Sequence, residues 1–163
     1  GIQFQGEKHI NVPLVLTHQR GEPDLKPLIM PNNQWQRFHQ YIASVAVDSE
    51  RNLLCVTTPI GGCAAIYDLN TRTSIDNISL PDCAGAAVLP NLNADKAGVN
   101  NANVKTKAKG HSGFIVSDGQ GQLTALTVNH LATAELARVD NVERIFIDSK
   151  CHLMSFDNHL QAL

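Results

Sequence analysis

Four short stretches of this chain, Ala43–Asp48, Asn52–Thr58, Cys63–Leu69 and Ser74–Leu80, alternate apolar and polar residues with a period of two. Side chains of a strand point to alternate faces, so each stretch predicts a half-buried β-strand. Brief clusters of Gly, Pro, Asn, Asp and Thr separate them and predict turns. The break at Asn70-Thr71-Arg72-Thr73 contains no glycine, which leaves its turn type open.

The same pattern recurs along the chain. "PIGGCAAI" at 59 to 66 matches "GQGQLTAL" at 119 to 126, so Gly61 falls on Gly121, Ala65 on Ala125 and Ile66 on Leu126. "VDSERNLL" at 47 to 54 matches "IDSKCHLM" at 147 to 154, with Asp48-Ser49 on Asp148-Ser149. Recurring glycines have a physical reason, because hairpin turns need residues that tolerate positive φ. Four strands in roughly 40 residues is the repeat of a β-propeller blade. A second blade would start with strands at Ala84–Leu89 and Gly113–Asp118, separated by an aperiodic Asn-, Ala- and Lys-rich insertion at 91–112. A polar loop of that length is read as a flexible insertion.

The ends add two halves. Strands at 12–18 and 25–30 resemble the outer pair of a preceding blade, and 143–160 the inner pair of a following one. Pro31, Trp35, Phe38 and Ile42 place an apolar stripe at i, i+3 and i+7 behind a first-turn proline, which predicts one short helix near 31–42 capping the sheet ends. The expected fold is therefore all-β: a propeller segment with two complete four-stranded blades, two half-blades and one helix. It forms a single domain over 1–163 or the C-terminal half of a longer propeller. The complementary halves raise the expectation of a homodimer that closes the ring, or of a separate N-terminal half that does so.

Composition narrows the function classes. Thirteen basic against fifteen acidic side chains give a net charge of −2 with no extended basic face, which argues against nucleic acid or an anionic membrane surface as main partner. No apolar run approaches the roughly 20 residues of a membrane span. The chain starts at Gly1 without Met, and is read as processed, tagged or cut from something longer. Cys55, Cys63, Cys83 and Cys151 show no Cys-x-x-Cys spacing. Pairing across Pro59-Ile60-Gly61-Gly62 sets Cys63 opposite Thr58 and Cys55 opposite Ile66, so free thiols buried in strands are expected rather than a disulfide.

"WQRFHQYIASVAVDSERNLLCVTTPIGGCAAIYDLNTRTSIDNISLPD", "GFIVSDGQG" and the terminal "FDNHL" resemble a bacterial family called domain of unknown function fifteen-thirteen. The similarity runs from about Val12 to Leu160; Phe156 stands where the family usually has Trp, and the lysine-rich insertion departs from its pattern. The resemblance implies a propeller fold, export to the periplasm and a genetic setting beside imelysin-type iron-regulated proteins. It implies no reaction.

Candidate chemistry is sparse. His152, Asp157, Asn158 and His159 include the ligand types of iron or zinc, and His152, Asp157 and His159 form the candidate metal set. A spacing of seven between the histidines puts them on opposite faces of a straight strand, so a shared ion would need a turn at Asp157-Asn158. The bland alternative has Asp157 and Asn158 closing the strand end. Asp118-Gly119-Gln120-Gly121 lacks the further acids of a calcium loop and the Lys-Ser/Thr of a phosphate loop, and reads as a hairpin turn. Lys96, Lys105, Lys107 and Lys109 against Asp95 make the insertion locally basic, a solvated loop before an anion site. Neither Ser112 nor Ser117 sits in a Gly-x-Ser-x-Gly elbow. Trp35 and Phe38 read as core anchors, with Tyr41 undecided. The resulting expectation is a non-enzymatic scaffold that binds a protein or small ligand and holds no resident cofactor. The alternative is a metal-assisted hydrolase using His and Asp at inner strands.

Overall fold

The computed structural model describes residues 12–89, 112–130 and 139–148. A two-stranded antiparallel ribbon, β1 (Leu16–Thr17) with β2 (Lys26–Pro27), leads into a 3-10 helix at Pro31–Phe38. Then come β3 (Ser44–Asp48), β4 (Leu53–Thr58), β5 (Cys63–Asp68) and β6 (Thr73–Ser79), a four-stranded antiparallel meander in sequence order. The second meander holds β7 (Cys83–Val88), β8 (Ser112–Asp118), β9 (Leu123–His130) and β10 (Val139–Asp148), again in sequence order. The all-β expectation and both four-stranded units hold.

Strand alternation builds two cores. Leu53 and Cys55 of β4 and Ala64 and Ile66 of β5 face the second sheet, where they meet Phe114, Val116, Leu126 and Val128. Their neighbours Leu54, Val56, Ala65 and Tyr67 face the other way, against Leu28, Met30, Trp35 and Phe38. Every residue of β4 is buried, as a strand covered on both faces requires. The sheets stack like on like, first strand β3 on first strand β7 and last strand β6 on last strand β10.

The predicted register around the first tight turn is the observed one: Thr58 pairs with Cys63 and Cys55 with Ile66. Cys55, Cys63 and Cys83 are buried free thiols, and Cys151 lies outside the described residues. The glycine-free turn is built by local chemistry. The Asp68 carboxylate accepts the Asn70 N–H at 2.7 Å, and Arg72 takes the left-handed conformation at φ 59°. Asp48 and Asp118 close turns in the same way, accepting N–H groups of Glu50 and Arg51 and of Gln120 and Gln122.

Three expectations change. The strand at 143–148 belongs to β10, the fourth strand of the second sheet paired along β9, and not to the inner pair of a following blade. The match of Asp48 to Asp148 therefore joins a first strand to a last one. It reflects the shared habit of ending a strand in Asp, not an equivalent place in a repeat. The helix is 3-10 and stops at Phe38, because His39 and Gln40 both have positive φ. Its aromatic residues lie on one face of the first sheet, with Phe38 fully buried and Trp35 4% exposed. Its last turn reaches the strand ends as expected, Arg37 donating to the Gly61 and Gly62 carbonyls and Thr58 to the Phe38 carbonyl. The N-terminal pair is a ladder of only two residues per strand, shorter than the strands expected at 12–18 and 25–30. Its continuation is Leu28, whose N–H donates to the Val15 carbonyl at 3.0 Å.

Residues 90–111, nearly the whole of the 91–112 insertion, lie outside the described residues. Their attachment points are close together: β7 and β8 pair side by side, and the Leu89 N–H donates to the Gly113 carbonyl at 2.9 Å.

Candidate functional site

The N-terminal ribbon and helix cover only part of the first sheet. Ile29 exchanges hydrogen bonds with the β6 end of that sheet, its N–H donating to the Arg72 carbonyl and its carbonyl accepting from Ser74. Met30, Trp35 and Phe38 lie with Val56, Ala65 and Tyr67 of β4 and β5. The Trp35 ring stacks on Tyr67 at 6.1 Å and meets Phe38 edge-on at 5.4 Å, a geometry that favours aromatic pairs. Nothing described covers the same face of β3. Val45 and Val47, which point to this side beside Val56 and Leu54, are 44% and 48% exposed, and Leu16 of the ribbon is 43% exposed. On the opposite face of β3, Ala46 and Asp48 are buried beneath the second sheet.

The uncovered strip is the wall of a cleft of about 1130 Å³ between the ribbon and the first sheet. Its floor is apolar, with Ile42 and Leu54 buried below the exposed valines. Its rim is polar. Lys26 bridges to Glu22, and that charge-assisted hydrogen bond holds the Glu22 carboxyl below the usual carboxylate range. The His18 ring donates through Nε2 to the Glu22 carbonyl at 2.8 Å. An apolar floor under a few polar groups is the usual composition of a ligand site.

The sequence candidates fall elsewhere. His152, Asp157, Asn158 and His159 lie outside the described residues, as do Lys96, Lys105, Lys107, Lys109 and Asp95. Among the described residues no group of three His, Cys, Asp or Glu side chains is placed to hold a metal ion. Asp118-Gly119-Gln120-Gly121 forms the β8–β9 hairpin turn, with Gly121 at φ 85°. Ser117 is fully buried, and its Oγ makes no hydrogen bond among the described residues. Trp35 and Phe38 are core anchors, and Tyr41 is half-buried.

The cleft residues Leu16, Val45 and Val47 carry no motif. Their only signal is that Val45-Ala46-Val47 is apolar on both faces, which reads as a strand between two layers. One of those layers is absent from the described residues at that place.

A family model described as protein of unknown function (DUF1513) matches residues 1–107. The match includes the 35–82 segment and ends before "GFIVSDGQG" and "FDNHL". No curated protein matches the chain.

Proposed function

The chain belongs to this DUF1513 family, and we propose that it acts there as a non-enzymatic β-propeller scaffold that binds a partner protein or small ligand. The two meanders are successive blades in this reading. Support comes from their stacking, first strand on first and last on last, which is how radially arranged blades meet. The observation that carries the binding role is the cleft over β3, where three large apolar side chains stand exposed beside one another over an apolar floor.

Export to the periplasm and an iron-acquisition setting enter from the family resemblance alone. Fractionation of cells carrying the full-length gene, and its response to iron limitation, test both. The binding role is tested with an apolar fluorescent probe, anilinonaphthalene sulfonate. One saturable class of sites, lost when Val47→Lys places a charge on the cleft wall, is the expected result. Binding unchanged by V47K overturns the assignment of the cleft. A stoichiometric transition metal in protein purified without affinity metal would instead favour metal-assisted hydrolysis.

A further inference from the structure

We infer that the cleft takes a polypeptide: a two-stranded β-ribbon that adds to the free edge of β1 and lays alternate apolar side chains on Val45 and Val47. The inference rests on the scaffold reading and names its partner by chemistry.

The molecule itself supplies the template. On one face of the first sheet a full four-stranded meander is stacked, with β7 over β3 and β10 over β6. On the other face the β1–β2 ribbon, its continuation and the helix pack with residues of β4 and β5 and reach the edge of β6 through Ile29. The places toward β3 are the cleft. A layer equivalent to the second sheet would need two more strands there, beside β1. Stacked sheets lie about 10 Å apart, and neighbouring strands about 4.8 Å, so the occupant would be a ribbon continuing the β1–β2 layer.

Backbone chemistry agrees. The Val15 carbonyl accepts from Leu28, so the chain there turns alternate residues toward β2. The N–H and C=O of Leu16 then point to the edge with which no described strand pairs. An edge that no described strand pairs, flanked by exposed β-branched residues, suits an added strand, because backbone pairing supplies affinity and the period-two side chains supply specificity. A small apolar ligand could contact Val45 and Val47 but would leave that edge unmatched. The rim charges of Glu22 and Lys26 already pair with each other, so recognition falls to backbone pairing and apolar contact. A two-stranded sheet of two-residue strands is also marginal by itself, which gives added strands something to stabilise.

The test uses the whole chain and a short synthetic hairpin, two Thr-Val alternating strands joined by Asn-Gly, labelled for fluorescence anisotropy. Saturable binding is expected, weakened by about tenfold or more in V47K and again in Leu16→Pro. Proline at 16 removes only the N–H that faces the free edge, leaving the bonds to β2 in place. Circular dichroism and melting curves establish that both variants fold. A control hairpin with proline in each strand should not bind. If the hairpin fails to bind while anilinonaphthalene sulfonate still binds in a V47K-sensitive way, the ribbon inference falls and the ligand-binding cleft stands. If both fail, both fall. Hairpin binding that L16P leaves unchanged also overturns the edge pairing.

Discussion

Cys63 and Cys83 keep their protons far into the alkaline range. Burial in strands removes water from the thiolate, pushing Cys63 from an ordinary 9.0 to about 11 and Cys83 to about 12. The unfolded chain starts to lose these protons near pH 9 while the folded chain retains them. Above pH 9 the unfolded state therefore binds fewer protons, and stability falls as pH rises toward 11 or 12. Chemical denaturation should show the midpoint dropping over that window, and Cys63→Ala should flatten the drop; parallel slopes for the two proteins would contradict the burial account. Gly61 carries a different constraint. A Cβ there would run into the Arg37 backbone carbonyl and the Thr58 methyl, in a turn where Arg37 also donates to the Gly61 and Gly62 carbonyls at 3.3 Å. Gly61→Ala is expected to cost about 1–3 kcal/mol, the range of overpacked sites, measured by the same denaturation. This residue-level order was partly legible. The Thr58–Cys63 register follows from alternation and loop length alone, and the alignment of Gly61 with Gly121 marks equivalent second-to-third-strand turns. The contact that makes Gly61 intolerant of a side chain comes from a residue 24 positions earlier, so local pattern could not reveal it.

At the scale of elements, the turns that end in Asp explain both a success and an error. An acid at the end of a strand closes the next turn through its carboxylate, as Asp48, Asp68 and Asp118 do, whatever that strand's place in a sheet. The recurrence identified strands well and misplaced 143–148. The helix was legible as an apolar stripe, but its type depends on tertiary contact: Pro31 starts it, Trp35 and Phe38 are drawn onto Tyr67, and the chain must then turn at His39 and Gln40 to enter β3. Most of its stability lies in that contact. Phe38→Ala should therefore destabilise the whole domain by about 3–5 kcal/mol, read by calorimetry; a change below about 1 kcal/mol would mean that the helix is not part of the core. The 90–111 segment joins neighbouring antiparallel strands whose ends already bond, so a short Gly-Ser link should replace it with a shift in melting temperature of a few degrees at most. A large fall would show that the segment contributes packing.

At the scale of the molecule the described residues form a stack: ribbon and helix, first sheet, second sheet. The first sheet is covered on both faces at β4 and β5, whereas β3 is covered on one. The apolar–polar pattern predicts half-buried strands, whereas β4 is buried on both faces, because apolar residues at both parities demand a layer on each side. The pattern could not announce the cleft, since a cleft is the place where that demand goes unmet, and the same Val45-Ala46-Val47 run suits either outcome. The assignment of 143–148 to the second sheet takes that strand out of the inner pair expected of a following blade, and the strip over β3 is where we propose that a partner or ligand binds. Methyl-resolved NMR during titration with anilinonaphthalene sulfonate tests this most directly. Methyl signals of Leu16, Val45 and Val47 should shift together and saturate, while Val116 and Val128, buried between the sheets, stay in place. Saturable shifts centred on any other surface, or none at Val45 and Val47, would contradict that proposal.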